Sequence, residues 1–292
     1  MNPIAFHDVF LQVMLKHLLF IIGTMALLLG CKQQKPVITP TENTFEVLPS
    51  VFRQNVLMES FVSETNAATL QHSIDVAQLK SLYGQRLILA NFHEDDWLET
   101  PYTDLLSTML GGLIATPRAA LNRIPASNAL NGETNYSLLS KPNWTNAIIH
   151  ALAQEAPLSI ALASKNITAT LGQVEVYLAR KTPLLGDTRI SLFLVQDSIP
   201  ALFQVGATDV FEHNHVVSKT FPDHAGIPID VQSETEEATI DRYTFEQVDL
   251  LQLDQRNLTA VVFVYRYDTD FRNIKILNVQ SVKWGGNKYW DN

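Results

Sequence analysis

Residues 55–92 read NVLMESFVSETNAATLQHSIDVAQLKSLYGQRLILANF, and this stretch decides the fold class. Its opening, Asn55 to Val62, is a short apolar run of strand length. From Asn66 to Tyr83 there is neither Gly nor Pro. Leu70, Ile74 and Ala77, and alongside them Val76, Leu79 and Tyr83, recur at helical spacing. Gly84 stands where a residue free to adopt positive φ closes helices. Arg86 to Phe92 is then a continuous apolar run, the pattern of a strand buried on both faces of a parallel sheet. Strand, helix and strand in such quick succession predict an α/β unit.

The same alternation continues downstream. Asp104 to Leu110 reads as a short helix ending at Gly111-Gly112, and Pro117 with Arg118-Ala119-Ala120-Leu121 as a third strand. Trp144, Ala147, Ile148, Ala151 and Leu152 mark one face of a further helix that Pro157 closes. Beyond Pro157 the period changes to two. Leu158/Ile160/Leu162, Ile167/Ala169/Leu171, Val174/Val176/Leu178, Ile190/Leu192/Leu194, Val262/Val264 and Ile274/Ile276 alternate between Asn, Asp, Gly and Pro signals. That pattern predicts an antiparallel sandwich or barrel-like domain. The boundary is expected near Ala156, giving an α/β domain over 46–155 and an all-β sandwich-like domain over 156–292.

Upstream, the run Leu18 to Gly30 is apolar or small, follows Lys16-His17 and precedes polar Lys32-Gln33-Gln34-Lys35-Pro36. Thirteen such residues are too few to span a bilayer, which takes about 20. They suit a secretory signal. Leu28-Leu29-Gly30-Cys31 resembles a bacterial lipobox, so residues 1–30 are expected to be a lipoprotein signal peptide and Cys31 the lipidated residue. Met14 makes a more ordinary start for that signal than Met1, because Asp8 lies between them. Residues 31–45, rich in Lys, Gln, Pro and Thr, read as a tether. Cys31 is the single cysteine of 292 residues, which excludes an intrachain disulfide, a multi-thiolate zinc site and a dithiol redox centre. Thirty acidic residues against 21 basic ones give a net charge of −9, and a nucleic-acid partner is disfavoured.

The order strand–helix–strand–helix–strand–helix, with Pro117 opening the third strand, resembles a thioredoxin-like fold. More narrowly, the chain resembles the outer-membrane-protein-28-related lipoproteins of Bacteroidetes over roughly residues 50–290. The pieces that carry the likeness are Val56-Leu57-Met58-Glu59-Ser60-Phe61, Tyr83-Gly84, and the strand ending at His93. Ala115-Thr116-Pro117 with Asn122-Arg123, and His213-Asn214-His215-Val216-Val217, complete it. The resemblance implies a thioredoxin-like domain joined to a C-terminal β domain, a cis peptide at Pro117, and an outer-membrane location. It also implies a departure. Many members carry Thr-Gly-x-x-Cys-x-x-Cys after the first strand, and here Asn66 and Thr69 occupy the two thiol positions. A thiol there gains its reactivity from the helix N-terminus, and a second thiol resolves the mixed disulfide. An amide and a hydroxyl can cap the helix but cannot exchange disulfides.

Two other segments offer chemistry. His213-Asn214-His215 has a spacing that can hold zinc or copper, with Glu212, Asp223 and His224 near in sequence; the simpler reading pins a loop to the β domain. His93-Glu94-Asp95-Asp96 follows a buried strand, where α/β folds place functional loops, and with Glu59 or Glu99 it could form an acid/base pair or a cation site. The simpler reading there is a solvated acidic loop. Phe263, Tyr265 and Tyr267 fall on one strand face and read as packed interior. No nucleophile elbow, phosphate loop, dinucleotide fingerprint or zincin motif occurs, and no cofactor is expected. The expectation is a non-enzymatic, lipid-anchored envelope protein with a redox-inactive scaffold, held to the membrane by its lipid and binding a protein or glycan. The alternative is a metal-dependent binder or hydrolase that uses the His93–Asp96 loop or the His213–His215 segment.

Overall fold

The computed structural model describes residues 45–112, 116–124, 138–184, 186–222, 225–229, 238–269 and 274–291. The signal peptide, Cys31, most of the tether, Asp223 and His224 lie outside the described residues. Among the described residues the α-helices are α1 (Ala68–Tyr83), α2 (Thr103–Met109) and α3 (Trp144–Leu152). The fold is β-rich, and the described residues form one large mixed sheet, one smaller antiparallel sheet and a two-stranded ribbon.

The decisive stretch forms β1 (Val56–Val62), α1 and β2 (Leu87–His93), and the two strands pair in parallel from Val56↔Leu87 to Val62↔His93. A crossover helix between parallel neighbours is the expected connection. Gly84 closes α1 at φ 57°. β3 (Arg118–Leu121) adds antiparallel to β1 after a cis Thr116–Pro117 peptide, and β4 (Leu138–Leu139) pairs with β3.

Past Ala156 come β5 (Leu158–Asn166), β6 (Leu171–Arg180), β7 (Thr188–Gln196), β8 (Ile199–Pro200), β9 (Glu212–His213), β10 (Val216–Phe221) and β11 (Ile227–Pro228). They are followed by β12 (Thr239–Asp249), β13 (Leu258–Arg266), β14 (Lys275–Lys283) and β15 (Asn287–Lys288). The large sheet runs β14-β13-β7-β10-β2-β1-β3-β4, with β11 beside β7; the small one runs β12-β6-β5-β15. The change of period near Ala156 is therefore not a division in space. β10 joins β2 in parallel, and Thr44–Asn292 forms one compact unit. The sheet is continuous because the outer edge of β2 meets its partner only after Ala156.

The main cores follow from the alternation of side chains. β1, β2 and β3 turn Val56, Met58, Leu87 and Leu89 toward Val76 of α1 and Trp144 and Ile148 of α3. Their other face sets Leu57, Phe61, Ile88 and Phe92 against Phe193 and Val195 of β7 and Phe263 and Tyr265 of β13. The opposite faces of β7 and β13 pack on the small sheet, with Leu192, Leu194, Val262 and Val264 meeting Ile160, Val174 and Val176. The aromatic stripe is thus interior at Phe263 and Tyr265, while Tyr267 is only partly covered.

Two local expectations change. Ile167, Ala169 and Leu171 do not form a strand set. Residues 167–170 turn between β5 and β6, the Thr168 hydroxyl accepts from the Leu171 N–H at 3.0 Å, and Ile167 is exposed. Helix α1 buries Thr69, His72, Asp75 and Val76 and exposes Ile74, so its inner face is half polar.

Candidate functional site

The junction between β1 and α1 is the chemical centre of the molecule's N-terminal part. Ser63 to Ala67 cross from the strand to the helix, and their backbone is held from several sides. Asn66 Oδ1 accepts from the Ala68 N–H at 2.9 Å, an Asx turn that leads into the helix. Its amide nitrogen donates to Thr116 O at 2.8 Å and contacts Thr116 Oγ1 at 3.1 Å, so Asn66 faces the segment that carries the cis proline. The Thr69 hydroxyl donates to Ser63 O at 2.7 Å and accepts from the Ser63 N–H at 3.2 Å. Both side chains are consumed in fixing the junction.

Beside it lies a buried group of histidines and carboxylates that brings the two other expected segments together. His93, the last residue of β2, bonds through Nδ1 to Asp96 Oδ2 at 2.8 Å. His213, in β9, bonds through Nε2 to Glu64 Oε1 at 2.9 Å. The two imidazoles meet edge to face with centroids 4.5 Å apart. Asp96 Oδ2 also accepts from the Glu64 N–H at 2.9 Å, which ties the pairs to each other. Burial alone would raise the Asp96 pKa, but the bonds from His93, Glu64 and Leu98 hold it below the ordinary carboxylate range. Burial, and then the adjacent His93 ring, push the His213 pKa down against the pull of Glu64 and Asp96.

The hairpin of β8 and β9 delivers His213. Its loop lies on the start of α1: Val205 N–H donates to Glu64 O at 2.9 Å, and Gln204 Nε2 reaches Asn66 O at 3.0 Å. Leu202 N–H donates to Glu64 Oε1 at 3.2 Å. Sequence reading did not single out Glu64 or Gln204. The one available signal was a Glu in the short polar link that follows the first strand.

The other expected residues go elsewhere. His215 takes φ 59° and pairs with Asp197 at 3.1 Å, so His213 and His215 serve different carboxylates and do not converge on one ion. Among the described residues no group of three His, Cys, Asp or Glu has metal-binding geometry. His224 lies outside those residues. Glu59 does not join the His93 loop, because β1 turns it to the opposite face of the sheet. There it forms a two-point ion pair with Arg123, at 2.9 and 2.6 Å, under the Phe263 and Tyr265 rings. Glu99 accepts from the Asp95 N–H at 2.9 Å and closes the acidic loop on itself. Neither His93 nor His213 shares a hydrogen bond with a serine, threonine or cysteine among the described residues. The group can hold two segments together; it activates no nucleophile that the described residues contain.

A family model described as outer membrane protein Omp28 matches residues 111–288. This chain belongs to the Omp28 family. Membership makes it an outer-membrane protein of the cell envelope. Among solved structures, HBP35 of Porphyromonas gingivalis is 16% identical, with a TM-score of 0.65 over 81% of this chain and 77% of that one. A protein from Agrobacterium tumefaciens is 11% identical, with a TM-score of 0.54 over 82% of this chain and 97% of the other. At such identities the likeness is one of fold. No curated protein matches the chain.

Proposed function

We propose that this Omp28-family chain is a lipid-anchored, non-catalytic binding protein of the outer membrane. In this reading a thioredoxin-like arrangement of β1, α1, β2 and the cis-proline segment is kept as a scaffold, and its ligand is a protein or glycan. One observation carries it: Asn66 and Thr69, at the positions where thiols would work, are both spent on hydrogen bonds that fix the strand–helix junction. Exchange chemistry needs an activated thiolate and a resolving thiol. The single cysteine of the chain, Cys31, is assigned to the lipid.

The test is reduction of insulin by dithiothreitol. The full chain should add nothing to the uncatalysed rate, and turnover above it would sink the reading. The double variant Asn66→Cys, Thr69→Cys places two thiols three residues apart at a helix N-terminus. If the scaffold is thioredoxin-like it should gain measurable activity and form a disulfide between the new residues.

A further inference from the structure

Strand β2 has an open edge inside a cleft. Its pairing with β10 is a single position, Val216 opposite Asn91, where the Asn91 N–H donates to His215 O at 2.7 Å. The left-handed backbone at His215 then carries the chain away, and no described strand pairs with β2 from Leu87 to Ala90 on that side. At the far end Lys80 Nζ donates to Leu87 O at 2.6 Å. Main-chain groups of alternate residues face the same neighbour, so Leu87, Leu89 and Asn91 share this edge. The N–H and C=O of Leu89 fall between the two occupied positions. The Leu89 side chain belongs to the helix-facing core, so what Leu89 offers the cleft is main chain.

The cleft has a volume of about 310 Å³. Val195, Thr259, Val261 and Ser281 form its opposite wall, and Lys80, Lys283 and Lys288 stand around it against one acid, Asp197. Lys283 is paired with Asp197 at 2.7 Å and Lys288 with Asp291 at 2.8 Å. Lys80 is half-buried and has no carboxylate within ion-pair distance among the described residues. Among the described residues, a half-buried cation without a bonded counter-charge and a strand edge without a pairing strand both call for the same kind of occupant.

We propose that this cleft binds an extended peptide segment carrying a carboxylate, whose main chain pairs with β2 at Leu89 and whose charge meets Lys80. Strand addition of this kind takes affinity from main-chain bonds and selectivity from flanking side-chain sites. An anionic acyl chain would cover the Val195 and Val261 wall but leave the donor and acceptor of Leu89 unmet. The inference deepens the binding role proposed above and rests on it, while the insulin assay reports separately on catalytic silence.

The probe is a fluorescein-labelled hexapeptide, Thr-Val-Thr-Val-Glu-Glu with a free C-terminus, titrated with the full chain in nonionic detergent and followed by polarisation. Saturable binding is expected, with about tenfold loss when the glutamates and the C-terminus are replaced by amides. Methylation of alternate peptide nitrogens should abolish binding in one register and spare it in the other. Lys80→Gln should weaken binding by about tenfold with an unchanged circular dichroism spectrum. Should that variant unfold, the peptide-side comparisons decide alone. Absence of saturation up to about 1 mM, equal binding of both methylated peptides, or displacement by dodecanoate of a probe indifferent to methylation would each overturn the proposal.

Discussion

Arg123 and Glu59 are both almost completely excluded from water, and each is the other's charge partner. Burial lowers the tendency of Arg123 to hold its proton, but Glu59 more than restores it. Removing one partner leaves a bare charge in the core, which costs about 3–5 kcal/mol. Arg123→Met should therefore lower the urea midpoint sharply, and the double change Glu59→Leu, Arg123→Met should recover most of the loss. His72 gives a second prediction. Neither ring nitrogen makes a hydrogen bond of good geometry among the described residues, and burial lowers its pKa from 6.5 to about 4 against the opposing pull of the Asp75 charge and of the neighbouring Asn91 side chain. The fold therefore prefers neutral His72. Its contribution is complete above pH 6.5 and is lost as pH falls toward 4, because the unfolded chain takes up the proton first. The loss between pH 7 and pH 5 should be about 2 kcal/mol. Urea unfolding at the two pH values measures it, and His72→Phe should remove most of the difference. Sequence made the positions of Asn66 and Thr69 legible because strand, link and helix are local. It could not show Glu64 meeting His213, which lies 149 residues further on.

At the level of elements, the strands were legible wherever both faces are buried or alternation is strict, as in β2, β6 and β13. The inner face of α1 was legible only in half. Of its two apolar rows, Val76, Leu79 and Tyr83 pack on the core while Ile74 of the other is exposed, and the helix also turns His72 to Trp144 and pairs Asp75 with Lys141. Hydrophobic spacing reports only apolar faces, and a helix seated partly by polar contacts escapes it. The hairpin of β5 and β6 carries a sharper constraint. A Cβ on Gly172 would clash with the Cζ2 and Cη2 atoms of Trp284, whose Nε1 donates to Asn166 Oδ1 at 2.7 Å. Gly172→Ala should displace that ring and cost about 1–3 kcal/mol. Thermal melting measures the loss, and a changed near-ultraviolet dichroism of the tryptophan reports the displacement.

For the whole molecule, family membership fixes the compartment, and the attachment to it is the testable part. Cys31→Ser should move the protein from the membrane fraction to the soluble fraction of broken cells. Retention in the membrane pellet after a carbonate wash would refute the lipid anchor. Anchoring by acyl chains scales at about 0.8 kcal/mol per buried CH₂, so loss of the attachment residue should leave little residual binding. The domain boundary was the least legible feature. A change of period is a property of the chain, whereas the joining of β2 to β10 is a property of the folded sheet.

That joining has a consequence for how the protein is made. Early strands wait on late ones: the β2 edge is met by Val216, and the Asn55 N–H is met by the side chain of Asn278 at 2.9 Å. A chain emerging N-terminus first cannot cover the Leu57, Phe61 and Phe92 face of its first strands until nearly all of it has been delivered. Through that interval the β2 edge is bare and ready to pair with the wrong neighbour.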